Sequence, residues 1–378
     1  QAPNLTPGEA SDDNVTINKS AERTGADTWE VTMTVDPKEK PLQVVPLDVV
    51  LVLDRSLSMG WTVGGSQWDP DAGGGDTRLK IMQDAANKLI DQLVALDMPV
   101  RVGVASFAGY SRTEIDLTSL DSADNVQRIK KKINGLDLTS STNLEAGLKE
   151  AEKILEMSQT GTDQVIIMLS DGEYNDGGDP THKADALKTA GVEIFTVGFA
   201  NTSKGNETLK DVASEPVDKH FFEANDADQL VNAFTQIAYE ITAMVNDPMG
   251  DYVKIIGMPS ADINDTTNVS NQLQVVEDGG RLLWNPPEED GLTADETLTI
   301  TYTVQLKDEL SDLWSKASNG VLDVPLNGNA KLQYQITGVQ DPTNHELDFN
   351  VPSDIVNIAK LSVWTQYADG ALTPVSGA

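Results

Sequence analysis

The order of apolar and polar positions divides the chain into stretches of two kinds. From Asn14 to Val35, apolar residues recur at every second position, a period that predicts a hairpin of β-strands. From Leu47 onward, continuous apolar runs alternate with segments of helical periodicity, the first of which extends from Arg78 to Leu96. Short strands separated by turn residues return after residue 247. The flanks therefore predict β-structure, and the middle predicts alternating strands and helices.

The middle segment, residues 46–245, predicts a doubly wound α/β domain of the Rossmann-like type. Its strands are apolar throughout, as in Leu47–Leu53, which is typical of parallel strands buried on both faces. Alternation of strand and helix favours an open, mostly parallel sheet covered by helices on both sides. Residues 1–45 and 246–358 then build an all-β sandwich, and the α/β domain is inserted in one of its loops.

Composition excludes several classes of function. The net charge is −33, from 60 acidic and 27 basic residues, and such a surface repels nucleic acid and anionic membranes. No apolar run reaches the roughly 20 residues that span a bilayer, so no membrane insertion is expected in this fragment. The chain has no cysteine, which excludes disulfides and thiolate chemistry. Its three histidines are scattered and no nucleophile–base pair can be read, so we expect a binding protein and not an enzyme.

Hydroxyl and carboxylate side chains follow the predicted strands of the middle domain. Asp54, Ser56 and Ser58 come directly after the first apolar strand, and Asp171 ends a later one. Thr142 opens a predicted helix between them. Ligands of open α/β sheets bind at the carboxyl ends of strands, near the topological switch point. Hard oxygens suit Mg²⁺, Mn²⁺ or Ca²⁺, so these residues predict a divalent-cation site, for which we expect Mg²⁺.

Each part of this pattern also has a purely structural interpretation. Asp and Ser commonly cap helices, Thr142 with Glu145 matches a capping box, and Asp171–Gly172 matches an ordinary turn. The combination of all of them at successive strand ends favours the cation site over a coincidence of caps.

Residues 46–245 resemble a von Willebrand factor A domain with a complete metal-ion-dependent adhesion site. The resemblance rests on the Asp-x-Ser-x-Ser element of residues 54–58, on Thr142 and on Asp171. It implies that Asp54, Ser56, Ser58, Thr142 and Asp171 coordinate the ion directly or through water. It also implies that a Glu or Asp of a partner protein completes the metal shell. Leu57 stands where the family often has Gly, which should alter only loop flexibility.

The flanks resemble pilus-tip adhesins and related cell-wall-anchored surface proteins of Gram-positive bacteria. In those proteins an A domain is inserted in an immunoglobulin-like β-domain that is closed by a Lys–Asn isopeptide bond. The matching segments are residues 15–19, 246–250, 302–304 and 318–320. Residues 359–378 look like the start of a B-type repeat of collagen-adhesin-like proteins, so we expect a fragment of a longer protein.

We predict such a bond between Lys19 and Asn357, catalysed by Asp247. Lys19 and Asn357 occupy apolar-face positions of alternating segments, which predicts that both side chains point into the core. Burial lowers the pKa of a lysine and raises that of an aspartate, and the reaction needs a neutral amine and a protonated acid. The alternatives are the asparagines Asn319 and Asn329 as partner and Asp251 as acid.

These features predict an extracellular bacterial surface adhesin of the pilus-tip type. It would bind an extracellular-matrix or cell-surface protein through a cation-bridged carboxylate, and its missing C-terminal part would join the pilus shaft or the cell wall. The alternative is an intracellular A-domain scaffold of a chaperone or chelatase-type ATPase complex, and the predicted sandwich around the α/β domain disfavours it. A cation-dependent hydrolase is a third and more distant interpretation.

Overall fold

The structure is a computed structural model, and it describes residues 5–63, 76–95, 98–286, 291–308, 312–336, 342–357, 364–366 and 372–374. The chain forms two compact units. The first contains residues 1–43, 244–339 and 345–378, and the second contains residues 44–243 and 340–344. The second unit thus interrupts the first in sequence. Among the described residues, no helix has the length and apolar character needed to cross a bilayer.

The strands are numbered in chain order. They are β1 (Leu5–Ser11), β2 (Val15–Arg23), β3 (Thr28–Pro37), β4 (Leu42–Gln43), β5 (Leu47–Asp54), β6 (Val100–Phe107), β7 (Ser111–Ser119), β8 (Asp163–Ser170), β9 (Glu193–Phe199), β10 (Phe221–Ala224), β11 (Val245–Pro248), β12 (Val253–Ile263), β13 (Thr267–Asn268), β14 (Leu273–Val276), β15 (Arg281–Trp284), β16 (Leu298–Leu306), β17 (Val321–Pro325), β18 (Lys331–Ile336), β19 (Asn344–Asp348), β20 (Ser353–Asn357), β21 (Trp364–Gln366) and β22 (Leu372–Pro374).

The α-helices belong to the second unit. They are α1 (Arg78–Ala95), α2 (Ala123–Asn134), α3 (Leu144–Leu155), α4 (Pro180–Thr189), α5 (Ser203–Val212), α6 (Val217–His220) and α7 (Ala227–Ile241). Short 3₁₀ turns occur at Leu57–Gly60, Ser270–Gln272, Glu277–Gly279 and Asp312–Lys316.

The sheet of the second unit has the strand order β10-β9-β8-β5-β6-β7. Its strands are parallel except for β7, which runs antiparallel to β6. The chain leaves the central strand β5 toward β6 on one side and later returns to β8 on the other. Leu53 of β5 lies in register with Leu169 of β8. The loops after these two strands therefore begin side by side at one edge of the sheet, at its topological switch point.

Strand β5 is buried along its whole length and contributes to two hydrophobic cores. Leu51 and Leu53 pack in the core with α1, α2 and α7, whereas Val50 and Val52 pack in the core with α3, α4 and α5. Alternate residues of a strand point to opposite faces, so a continuous apolar run is needed to fill both cores. Gly147 allows α3 to lie close to β5, since a Cβ at this position would lie 2.9 Å from Cγ1 of Val52.

The first unit is a β-sandwich. One sheet has the order β1-β2-β3-β16-β12-β13, and the other has the order β14-β15-β11-β18-β19, with β4 paired to β18. Inward positions of β2, β3 and β16 alternate with partly exposed ones, as expected for strands with one buried face. The predicted fold class, an α/β domain inserted in an all-β sandwich, is confirmed.

Three parts of the chain differ from the sequence-based prediction or lie beyond it. Helix α5 was not predicted, because few apolar residues mark its buried side (Leu209 and Val212 among them). Helix α7 ends at Ile241, and Val245 already belongs to strand β11, which pairs with β15 and β18. The predicted start of a further repeat at residues 359–378 lies largely outside the described residues, apart from the pair β21 and β22.

Candidate metal centre

Asp54 is the last residue of β5, and its side chain is fully buried. Its Oδ1 accepts a hydrogen bond from the backbone N–H of Ser56 at 2.8 Å. Its Oδ2 accepts one from Oγ of Ser170 at 2.6 Å. Both carboxylate oxygens are therefore fixed at the carboxyl end of the central strand.

Ser56, Ser58 and Asp171 form a connected chain of oxygens beside Asp54. Oγ of Ser56 lies 3.0 Å from Oγ of Ser58, and Oγ of Ser58 donates to Oδ1 of Asp171 at 2.7 Å. The other oxygen of Asp171, Oδ2, accepts from Nη1 of Arg78 at 2.8 Å. The loops after β5 and β8 thus bring four of the five predicted ligands together.

Thr142 lies on the loop that precedes α3. This loop runs beside Ser56, since Thr139 forms an isolated parallel bridge with it. The backbone N–H of Thr142 donates to Oδ1 of Asn175 at 2.9 Å, and its carbonyl accepts from the N–H of Asn175 at 3.0 Å. These bonds tie Thr142, which is largely buried, to the loop that follows Asp171.

The capping box proposed for Thr142 and Glu145 does not form. Helix α3 begins at Leu144, and its cap is Asn143, whose side chain accepts from the N–H of Ala146 at 2.9 Å. The Glu145 carboxylate instead accepts from the N–H of Gly178. The cap of α3 therefore does not use the Thr142 hydroxyl, and a capping box does not explain the presence of Thr142 at this position.

The electrostatics of the site favour a cation. Burial, together with the nearby charge of Asp171, raises the pKa of Asp54 to about 7. Burial also raises the pKa of Asp171, although its bonds to Ser58 and Arg78 oppose that change. Among the described residues, no group of three or more acidic or histidine side chains is arranged to hold a metal. Two carboxylates supplemented by hydroxyls are nevertheless a hard-oxygen set that suits a small divalent ion, so these residues fit the predicted metal.

The raised pKa of Asp54 predicts how the stability of the metal-free protein depends on pH. A carboxyl whose pKa is higher in the folded state stabilises the fold below its unfolded pKa, and this contribution is lost as pH rises to the folded value. Between about pH 4 and pH 7, Asp54 should therefore reduce the free energy of unfolding by a few kcal/mol, at about 1.4 kcal/mol per pKa unit. Chemical denaturation with chelator present, across this range, measures the effect.

The matched variant for this prediction is Asp54→Asn, which keeps the shape and removes the titration. Its stability should change less with pH than that of the wild type, and the difference should grow toward pH 7. Parallel pH curves for the two proteins would contradict the prediction.

Two residues of the site were not found from the sequence. Ser170 orients Asp54, and its only signal is its place next to Asp171 at the end of β8. Arg78 begins α1 and bonds to Asp171 from 93 positions away. Such a contact has no local sequence signal, because only the tertiary fold brings the two residues together.

A second polar cluster lies in the core of the β-sandwich. Nζ of Lys19 on β2 lies 2.6 Å from both carboxylate oxygens of Asp247 on β11, and both side chains are fully buried. The hydroxyl of Tyr302 on β16 donates to Oδ2 of Asp247 at 2.5 Å. Burial lowers the pKa of Lys19 although the Asp247 charge opposes this, and burial raises the pKa of Tyr302. The cluster thus holds an amine whose neutral form is favoured by desolvation.

The predicted orientation of Asn357 is wrong. On β20 the buried side chain is that of Val356, and Asn357 is exposed and pairs with Val321 of β17. The alternative asparagines Asn319 and Asn329 are also exposed, as is the alternative acid Asp251.

A buried asparagine that was not predicted lies near Asp247. Asn327 is 1% exposed and pairs with Met249 in an isolated antiparallel bridge. Met249 and Asp247 are two residues apart on an extended segment, so both lie on the face to which Asn327 also points. Nδ2 of Asn327 donates to the carbonyl of Gly328, whereas no donor among the described residues reaches its Oδ1. A buried amide oxygen without a partner is uncommon and needs an explanation.

The family models match this architecture in both units. The model of the von Willebrand factor type A domain matches residues 48–236, half of the chain. The chain belongs to the von Willebrand factor type A domain family. The Ig-like domain of GBS104-like tip pilins matches residues 241–354, which include Asp247 and Asn327. The chain therefore combines a von Willebrand A domain with a pilin Ig-like domain.

Curated relatives match the von Willebrand A domain. Mouse matrilin-2 is 27% identical over 187 residues, which cover 48% of this chain and 18% of matrilin-2. The human collagen alpha-1(XX) chain is 30% identical over 195 residues, which cover 48% of this chain and 13% of the collagen chain. The chain thus spans less than a fifth of the length of either relative.

Solved structures resemble both units at low sequence identity. The pilus adhesin SpaC from Lactobacillus rhamnosus GG is 17% identical, with 97% of this chain and 54% of SpaC covered and a TM-score of 0.46. The type V pilus tip protein Mfa5 from Porphyromonas gingivalis is 17% identical, with 91% and 78% covered and a TM-score of 0.42.

Proposed function

We propose that this protein is a surface adhesin whose von Willebrand A domain binds a protein ligand through a divalent cation held by Asp54, Ser56, Ser58, Thr142 and Asp171. The observation that carries the proposal is the contact of Asp54 and Asp171, two buried carboxylates, with serine hydroxyls at the ends of adjacent central strands. Divalent-cation binding is common among von Willebrand A domains. Mg²⁺ is the expected ion, with Mn²⁺ or Ca²⁺ as alternatives.

The charge of the site suits binding better than catalysis. Two carboxylates are the only formally negative side chains in the proposed ligand set, so a divalent ion keeps enough positive character to attract a carboxylate from outside. A Glu or Asp of an extracellular-matrix or cell-surface protein is therefore the expected contact. The tip pilin Ig-like domain supports a place for the protein at the tip of a pilus, outside the cell.

A binding screen tests this function. The protein should bind one or more immobilised extracellular-matrix proteins in Mg²⁺, detach when a chelator is added, and bind again when Mg²⁺ is restored. The control is the same series at matched ionic strength without chelator, since a protein of charge −33 also responds to salt. Binding that persists unchanged in chelator would refute the cation-bridged contact.

We also propose that the Ig-like domain carries an intramolecular isopeptide bond between Lys19 and Asn327. The support is the buried amine of Lys19 on Asp247 together with the buried Asn327 amide near the same carboxylate. Asp247 is a diagonal neighbour of Asn327, because Asn327 pairs with Met249. Diagonal neighbours on a sheet face lie about 7 Å apart, a distance that a long side chain such as that of Lys19 can reach. The burial of Asn327 and the exposure of Asn357 support Asn327 as the partner of Lys19.

The reaction conserves atoms and needs no oxidant. The neutral Nζ of Lys19 attacks Cγ of Asn327, a new C–N amide bond forms, and the bond from Cγ to Nδ2 breaks with release of ammonia. Asp247 accepts a proton from the attacking amine and donates one to the leaving nitrogen. Desolvation favours the neutral amine that makes this attack, because burial lowers the pKa of Lys19.

A further inference from the structure

Arg78 is held against the proposed metal centre from two sides. It is the first residue of α1, and its side chain is largely buried. Nη1 donates to Oδ2 of Asp171 at 2.8 Å, while the guanidinium lies 5.5 Å from the ring centre of Trp61. The backbone N–H of Arg78 also donates to the carbonyl of Trp61 at 2.8 Å. The guanidinium is therefore fixed in place next to a proposed metal ligand.

The charge on Arg78 is permanent. An arginine side chain stays protonated throughout the pH range in which proteins are folded. In contrast, the hydroxyls on the other side of Asp171 carry no charge: Oδ1 faces Ser58, and Ser58 faces Ser56. The proposed ligand set thus has a neutral side and a positively charged side, with Asp171 between them.

We propose that Arg78 sets the two affinities of the site in opposite directions. It weakens the binding of the divalent cation, and it strengthens the binding of a carboxylate ligand once the cation is present. This inference rests on the proposed function of the site. It assigns to Arg78 a positioning and specificity-determining role, since Arg78 acts through Asp171 and through its charge.

The argument follows from the net charge of the three side chains. When both carboxylates are ionised, as cation binding requires, the three side chains Asp54, Asp171 and Arg78 carry one net negative charge. A divalent cation converts this to one net positive charge. Without Arg78, the same two carboxylates carry two negative charges, and the cation brings them only to neutrality. Charges a few ångströms apart at a buried site interact strongly, so the guanidinium repels the cation and attracts the incoming carboxylate.

The test compares variants that differ in charge at this position. Arg78→Met removes the charge at similar length, Arg78→Gln removes it but keeps a donor for Asp171, and Arg78→Lys keeps the charge. Lys80→Met is the matched control, because Lys80 lies on the same helix and pairs with Asp84 at the exposed surface. Mn²⁺ affinity is measured by calorimetry. Carboxylate affinity is measured as broadening of the acetate methyl resonance by protein-bound Mn²⁺ at constant ionic strength.

We expect Arg78→Met and Arg78→Gln to bind Mn²⁺ about tenfold more tightly than the wild type, as strong Coulomb coupling at short range implies. Their Mn²⁺-loaded forms should bind acetate several-fold more weakly. Arg78→Lys and Lys80→Met should stay near the wild type in both measurements. Circular dichroism and thermal unfolding show which variants are folded, and Arg78→Gln decides the question if Arg78→Met is not.

Three results would overturn the inference. Unchanged or weaker Mn²⁺ binding by a folded Arg78→Gln would remove the proposed repulsion. Equal effects of Arg78→Lys and Arg78→Gln would show that shape and not charge matters. A wild-type protein that binds no Mn²⁺ would refute the metal centre itself, and with it this role of Arg78, whereas the first two results leave the metal centre intact.

Discussion

Asp54→Ala and Asp171→Ala should each abolish cation binding and, with it, capture of the protein ligand. Each substitution removes one of only two carboxylates in the proposed ligand set, and hard oxygens, above all charged ones, supply most of the binding energy for such ions. We expect the affinity for Mg²⁺ to fall by at least about a hundredfold, equivalent to about 2.7 kcal/mol. Calorimetric titration of Mg²⁺ and ligand capture with and without chelator measure the two effects.

The fold should survive both substitutions, because the two hydrophobic cores of this unit are built from apolar residues and include neither Asp54 nor Asp171. Asp84→Ala is the matched control: Asp84 lies on the same unit, is half-exposed and pairs only weakly with Lys80 across a helix turn. It should leave cation binding and ligand capture unchanged. Variants of Asp54 and Asp171 that still capture the ligand in a chelator-sensitive way would show that the ion sits elsewhere.

The intact wild-type protein should be lighter than its calculated mass by one ammonia. Loss of ammonia is the signature of a Lys19–Asn327 amide bond, and mass spectrometry of the denatured chain detects it directly. Lys19→Ala and Asn327→Ala should both have their full calculated masses. They should also be less stable by roughly 2–5 kcal/mol if a cross-link restrains the unfolded chain as a disulfide does.

The variant Asn357→Ala distinguishes Asn327 from Asn357, the partner of Lys19 that the sequence pattern predicted. Because Asn357 is exposed, the variant should still lose one ammonia relative to its own calculated mass. Fragmentation of a tryptic digest should then yield a branched peptide that joins the segments around residues 19 and 327. A wild-type chain at its full calculated mass would refute the bond, and a normal mass only in Asn357→Ala would return the partner to that residue.

The sequence predicted that the loops after β5 and β8 lie together, because their placement depends on few assumptions. A continuous apolar run such as Leu47–Leu53 identifies a central parallel strand, and any side chain at its carboxyl end lies at the ligand-binding edge. Asp54 and Asp171 could therefore be placed together without knowledge of the packing. Arg78 could not, since its contact with Asp171 depends on how α1 is seated against the sheet.

The error at Asn357 has a different cause. Alternation along an isolated segment shows that two faces differ, but not which face is inside, and a shift by one residue exchanges them. In β20 Ile355 is exposed and Val356 is buried. Because Asn357 lies two residues after Ile355, it shares the exposed face of Ile355, although Ile355 is apolar. Lys19 was safer to assign, because Val15, Ile17 and Lys19 itself continue one long alternating strand.

The chain order of the two units also determines which unit can fold first while the protein is being synthesised. Strand β3 pairs with β16, and Trp29 lies opposite Val304, so the first unit cannot complete its sheet until about 300 residues have been made. The second unit has nearly all of its strands and helices between residues 44 and 243 and can fold as soon as that segment is available. During this interval β3 lacks its partner β16 and exposes a sheet edge. Polar side chains alternate along β2 and β3, Asn18, Ser20, Thr32 and Thr34 among them, and they keep one face of these strands hydrophilic until β16 pairs with β3.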